Sequence, residues 1–267
     1  MTLPLQVVDA FTAEVFRGNP AAVVRLDAVV DPERDDTWMQ AVAAEMKHSE
    51  TAFVAPRPDG DFDLRWFTPA TEVDLCGHAT LAGAHALWDW GVLNGSEPAR
   101  FHTRSGLLTA TRRGDMIEMD FPATPAVAAD APPGLFDALG VNAADALDVR
   151  RSDFYVLVEV ADGRTVRTLS PDFVKLEAVD TRAVIVTARD DDFDIVSRTF
   201  GPRVGIDEDP VTGSAHCVLA THWADRLGPE LRAYQASARG GVVHTRLEGD
   251  RVVLGGAAVT VIRGALA

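Results

Sequence analysis

The sequence predicts an α+β protein of two similar halves, each a curved or barrel-like β-sheet around one central helix. Three observations predict it. Short apolar strand-like runs outnumber helical ones throughout the 267 residues. One order of elements (strands, a glycine turn, an apolar helix, more strands) occurs twice. A Pro- and Ala-rich stretch without periodicity, residues 122–134, separates the two occurrences and reads as a linker. The expected domains are residues 1–121, the linker, and residues 135–267. The last strand, about residues 258–267, has the option of packing with the first half.

Composition bounds the partners. Hydrophobic content of 47% and charged content of 24% fit a globular protein. A formal net charge of −15, without Lys/Arg clusters, argues against nucleic acid as a partner. Two cysteines, Cys76 and Cys217, do not make a disulfide framework. The opening MTLPLQVVDAF reads as a strand, not a signal peptide, and no apolar run reaches the ~18 residues of a membrane helix. A cytoplasmic location and no membrane partner are the expectations.

Taken in order, residues 5–11 and 21–24 read as strands around a loop closed by Gly18-Asn19-Pro20. Residues 36–47 place Trp38, Val42 and Met46 at helical spacing, with Asp36 or Thr37 as cap. Residues 52–55 and 62–67 are strands, and Glu50, at the handover from helix to strand, reads on this ground as a surface acid. Leu81 to Trp90 is helix-like and stops at Gly91. Residues 101–121 hold two or three strands. Residues 135–147 could hold a helix, and 154–160 read as a strand. Ser170-Pro171-Asp172 starts a helix bearing Phe173 and Leu176. Strands are expected over 183–188, 193–199, 242–246, 251–254 and 258–262.

The repeat can be aligned. Arg104-Ser105-Gly106-Leu107-Leu108 lies beside Arg239-Gly240-Gly241-Val242-Val243, and Gly114-Asp115 beside Gly249-Asp250. With a one-residue change of offset, Gly77-His78-Ala79 lies beside Gly213-Ser214-Ala215, each opening an apolar helix. Upstream, Phe62-Asp63-Leu64 is set beside Phe193-Asp194-Ile195.

The stretch from Ile206 to Leu227 concentrates the chemistry. Asp207, Glu208 and Asp209 precede a helix that starts at Thr212-Gly213-Ser214. Free N–H groups and the helix dipole make such a start an anion site, and an acid beside it suits proton movement on an anionic substrate. An N-capping serine behind solvated acids fits the same residues. The repeat favours a site, because it supplies a second glycine-led helix start at Gly77. Two such starts facing one cleft between the halves would suit a small carboxylic acid. The halves also differ: Glu50 and His78 in the first are matched by Thr181-Arg182-Ala183 and Ser214 in the second. Chemistry with distinct donor and acceptor needs such asymmetry; a structural duplication does not.

Other chemistries fit less well. His78/His85 and His216/His222 lack the i, i+4 spacing of a helical metal pair, and no P-loop or dinucleotide fingerprint is present. Cys76 stands at the first helix start, but its match in the second half is Thr212, so a two-thiol racemase is disfavoured. Cys217, inside the second helix, reads as core. A non-catalytic carboxylate-binding protein is a further alternative.

At Ser49-Glu50-Thr51, Asp74-Leu75-Cys76-Gly77-His78-Ala79-Thr80 and Glu208-Asp209-Pro210-Val211-Thr212-Gly213-Ser214-Ala215-His216, the chain resembles the phenazine-biosynthesis PhzF-like family. Asp9-Ala10-Phe11, Gly18-Asn19-Pro20-Ala21 and Arg239-Gly240-Gly241 add to the resemblance, which covers nearly the whole chain. It implies a diaminopimelate epimerase-like fold and a cofactor-independent isomerase, a homodimer, acting on a small carboxylic acid. The best-known member isomerises a dihydro-hydroxyanthranilate. It also implies that Glu50 moves the proton, that His78, Asp209 and Ser214 line the site, and that Gly77 and Gly213 offer helix-start N–H groups. Cys76 is adjacent to these.

Overall fold

The computed structural model describes residues 2–27 and 35–267. The chain forms two compact units: residues 1–121 with 255–267, and residues 122–254.

In the first unit, β1 (Leu3–Ala10) and β2 (Asn19–Arg25) form an antiparallel hairpin. Helix α1 (Asp36–Met46) crosses to β3 (Glu50–Pro56), which runs parallel to β2, as a helical crossover allows. β4 (Phe62–Phe67) pairs antiparallel with β3 and with the short β5 (Glu72–Val73). Helix α2 (Gly77–Asp89) then leads to β6 (Ala99–Thr103), parallel to β4, followed by β7 (Gly106–Arg113) and β8 (Met116–Pro122). Helix α2 packs against β1, β2 and β3. From His78 to Trp88 only His85 escapes full burial, so the helix is apolar all round, as a core helix must be.

The second unit repeats these pairings. β9 (Val127–Ala128) pairs with β10 (Ala146–Arg151), which follows α3 (Leu135–Leu139). β10 and β11 (Tyr155–Val160) are antiparallel. After α4 (Gly163–Thr168) and α5 (Phe173–Ala178), β12 (Ala183–Arg189) runs parallel to β11. β13 (Ile195–Gly201) pairs antiparallel with β12 and with β14 (Ile206–Asp209). Helix α6 (Gly213–Leu227) precedes β15 (Glu230–Gln235), parallel to β13, and then β16 (Gly241–Glu248) and β17 (Arg251–Gly256). Last, β18 (Ala258–Leu266) pairs with β1 along its length, through a bulge at Val7/Val8. It therefore belongs to the first unit, not with residues 135–254.

The second unit shows why its strands read as unbroken apolar runs. Leu157, Ile185 and Ile195 pack with Ala215, Val218, Leu219 and Trp223 of α6. Their neighbours Val156, Val158, Val184, Val186 and Val196 point to the other face, against α3, α4 and α5. Both faces are buried, so hydrophobicity does not alternate.

The register corrects the upstream alignment. Thr51 faces Phe67 across β3 and β4, and Val184 faces Phe200 across β12 and β13. Phe67 thus corresponds to Phe200, and Phe62 to Ile195 rather than to Phe193. This register reveals a repeated brace. Arg65 holds Glu72 through two bonds of 2.7 and 2.8 Å and lies over Phe67. Arg198 holds Glu208 through the same two lengths and lies over Phe200. Each brace ties a short strand, β5 or β14, to its sheet just before the central helix begins.

Other local expectations also shift. Asp35, not Asp36 or Thr37, caps α1 by accepting from the Trp38 N–H. The 135–147 helix ends at Leu139, because Gly140 adopts φ 69°. Residues 127–128, inside the expected linker, pair with Arg150 and Arg151. Helix α4 was missed. It is six residues long, capped by Asp162, with only Gly163 and Val166 buried. No described helix is long and apolar enough to cross a membrane.

Candidate active site

The first unit sets a buried imidazole beside a partly buried acid. Glu50 is the first residue of β3, in register with Ala21 of β2. Its side chain is only 14% exposed, so the surface-acid reading is overturned. His78, in the first turn of α2, brings Nε2 to 3.3 Å from Glu50 Oε2. That approach is not aligned as a hydrogen bond, and Nε2 has no aligned partner among the described residues. Burial pushes the His78 pKa down to about 3, with His48 adding in the same direction, so the ring is neutral at physiological pH. Asn19 Nδ2 lies 3.2 Å from His78 Nδ1, and Cys76 Sγ lies 3.5 Å from the same atom. An amide N–H can only donate, so Nδ1 accepts and the ring proton sits on Nε2, on the Glu50 side.

Asn19 is itself placed by a tight loop. Asp9, buried in β1, accepts the Phe16 N–H at 2.6 Å. Phe11, Phe16 and Gly18 all have positive φ. A Cβ on Gly18 would meet the Ala10 carbonyl oxygen at 2.1 Å. Gly18→Ala is expected to cost about 2–3 kcal/mol, read as a lower urea midpoint, because both its backbone region and its space exclude a side chain.

The second unit builds a locked helix start. Thr212 N–H donates to Gln235 Oε1 at 2.9 Å, and Gln235 Nε2 donates to the Asp209 carbonyl at 2.7 Å. Thr212 Oγ1 donates to Asp209 Oδ2 at 2.5 Å. Ser237 Oγ donates to the Pro210 carbonyl, and His216 Nδ1 donates to the Thr212 carbonyl, at 2.7 and 2.8 Å. Burial lowers the His216 pKa to about 4. Ser214 Oγ and Tyr155 Oη are 2.6 Å apart. Burial raises the Tyr155 pKa to about 12, against the Ser214 hydrogen bond and with the Asp209 charge, so the phenol is protonated at neutral pH.

The three acids before α6 have three different environments. Asp207 is exposed, Glu208 belongs to the Arg198 brace, and Asp209 alone holds the helix start. The family resemblance singles out Asp209 among them, whereas sequence reasoning missed Asn19, Tyr155 and Gln235 as site residues. The repeat held the signal for Tyr155. Ala21 faces Glu50 in the first unit, whereas Tyr155 faces Ala183 in the second.

The two central helices share one more property. Their N-caps, Cys76 and Thr212, occupy equivalent places and make no side-chain capping bond. Neither helix has an acid in its first turn. Both starts therefore leave first-turn N–H groups without a capping bond from the N-cap side chain, with the Glu50 carboxylate near the first start and that of Asp209 near the second. Gly77 and Gly213 are the first residues of these helices. As for metals, Glu50, Cys76 and His78 bring one ligand atom each within 4.8 Å of one another, a set that helical spacing did not anticipate and that could hold an ion. Cys76 and Cys217 are buried and form no disulfide, and the contact with His78 makes Cys76 more than packing.

The chain can be set beside known proteins. The family model described as phenazine biosynthesis-like protein matches residues 8–264. A protein of Halalkalibacterium halodurans, named as an isomerase, is 50% identical over 270 residues, covering 100% of this chain and 99% of its own length. The crystal structure of a PhzF-family phenazine biosynthesis protein from Enterococcus faecalis superposes with a TM-score of 0.93 at 39% identity, covering 100% of both chains. A hydroxyproline epimerase from Agrobacterium vitis shares the fold, with a TM-score of 0.65 at 12% identity over 99% of this chain and 91% of its own. The chain belongs to the phenazine biosynthesis-like, or PhzF-like, family of isomerases.

Proposed function

We propose that the protein is a cofactor-independent isomerase that shifts a proton on a small carboxylic acid, with Glu50 as general acid/base. The observation that carries this reading is the half-buried Glu50 carboxyl beside a neutral imidazole whose proton faces it. His78 then serves as a hydrogen-bond donor to the carboxylate form of Glu50 or to substrate, not as a base. Glu50 takes a proton from one carbon and returns it to another, and its charge is restored after each turnover. The uncapped starts of α2 at Gly77 and of α6 at Gly213–Ser214 receive carboxylate and other polar oxygens. Asp209 holds the second start in shape through Thr212. The homodimer implied by family resemblance is part of the same proposal, and sedimentation checks it.

Solvent exchange tests the function. Incubation in D2O with candidate carboxylic acids, followed by mass spectrometry, is expected to show deuterium at a carbon position of the true substrate. Ligand binding without any exchange would favour the binding-protein alternative.

A further inference from the structure

We propose that Tyr155 is a positioning residue whose O–H, donated to Ser214 Oγ, aims the Ser214 hydroxyl at the substrate carboxylate. The inference rests on the carboxylate reading above and gives it a specific anchor in the second unit.

The repeat supplies the first argument. In the first unit the strand pair β2/β3 presents a small residue, Ala21, beside an acid, Glu50, and α2 presents His78. In the second, β11/β12 presents a phenol, Tyr155, beside a small residue, Ala183, and α6 presents Ser214. The bulky polar group has changed strands while the helix position has kept a polar residue, His78 or Ser214. In each unit the strand group meets the helix group: Glu50 at His78, and Tyr155 at Ser214. An acid–imidazole contact can move protons. A phenol–hydroxyl contact whose phenol keeps its proton near neutral pH is suited to donate hydrogen bonds rather than to abstract a proton.

Hydrogen-bond direction supplies the second argument. At 2.6 Å either oxygen of the Tyr155–Ser214 pair could donate. A carboxylate resolves the ambiguity, because it only accepts. When it docks at the start of α6, Ser214 must turn its proton to the carboxylate, and its oxygen then accepts from Tyr155. The phenol is suited to be the outer donor, since burial holds its pKa near 12 and it keeps its proton. Chains of this kind polarise each other, so the Ser214 donor is stronger than a lone hydroxyl. The Asp209 carboxylate, tied to Thr212, disfavours a second negative charge on the phenol and so helps keep it a donor.

The test uses anthranilate and its neutral amide, anthranilamide, as probes, with calorimetric titration of the parent, Tyr155→Phe, Ser214→Ala and the double variant. Phenylalanine keeps the ring, and thermal melts verify that each variant is folded. The parent should prefer the acid over the amide at least 10-fold. Tyr155→Phe should weaken the acid about 5- to 10-fold and leave the amide unchanged, the size of one neutral hydrogen bond. Ser214→Ala should weaken the acid at least as much, and adding Tyr155→Phe to it should cause no further loss. Equal losses for acid and amide, or additive losses in the double variant, would overturn the role assigned to Tyr155. A parent indifferent to acid and amide would instead overturn the carboxylate reading, and the anchor with it.

Discussion

Glu50→Gln is expected to slow solvent exchange into the substrate by about 10²–10⁴-fold, equivalent to roughly 3–5.5 kcal/mol of barrier. Gln keeps the length of the side chain and can still accept from His78 Nε2, 3.3 Å away in the parent. What it loses is the ability to carry a proton. Binding should therefore change little while turnover falls, the pattern of an interaction made in the transition state. The matched control is Cys76→Ser. Its sulfur lies 3.5 Å from His78 Nδ1, close enough to disturb the ring. A modest loss fits that contact. If Cys76→Ser stopped exchange and Glu50→Gln did not, a one-thiol racemase mechanism would replace the one proposed.

The second large effect is on stability in acid. His78 and His216 sit in the core with pKa values of about 3 and 4, both driven down by burial, in His216 against the pull of the Thr212 carbonyl. In the unfolded chain each titrates near 6.5. Below that pH the unfolded state takes up protons that the folded state refuses, so stability falls as pH drops. Each histidine contributes a slope approaching 1.4 kcal/mol per pH unit. Between pH 6.5 and 4.5 the two together remove about 4.5 kcal/mol, comparable to the whole stability of marginal domains. Glu159 acts lower down. Burial works to raise its pKa, but hydrogen bonds from His222 and Arg226 hold it at about 2. The stability it supplies is present above its unfolded value near 4.5 and is lost as pH falls towards 2, which steepens the acid limb. Urea midpoints from pH 7.5 to 4.5 check this, and His216→Asn should roughly halve the slope above pH 4.5. A flat midpoint over that range would mean that these imidazoles are not held neutral.

Much of the architecture was legible because two kinds of signal coincided. Glycines at Gly77 and Gly213, each before an apolar run, located both central helices. Apolar runs such as Tyr155–Val160 located buried strands, since a sheet covered on both faces needs no alternation. What escaped was local or relational. Helix α4 is too short to show a period. Glu50 looks like any acid at a strand start until α2 brings His78 against it. Tyr155 reads as an ordinary strand residue, because aromatics are common in strands. Its meaning lies in its register opposite Ala183, and register is set by pairing partners far along the chain. The run Asp207-Glu208-Asp209 reads as one acidic feature until the family resemblance singles out Asp209. Strand alternation turns Glu208 away from Asp207 and Asp209, and of those two Asp207 is exposed while Asp209 bonds to the helix start.

The return of β18 to the first unit also sets an order of assembly during synthesis. Residues 122–254 are contiguous, so every strand of that unit is synthesised before β18. β1, by contrast, is made first and pairs along its length with β18, which is made more than 240 residues later. Until then one edge of β1 stays unpaired, with Leu3, Leu5 and Val7 on a strand whose outer backbone groups are open to any other extended chain. The half of the molecule that carries Glu50 and His78 is therefore the last to close. It is also the half most exposed to intermolecular pairing while the ribosome is still at work.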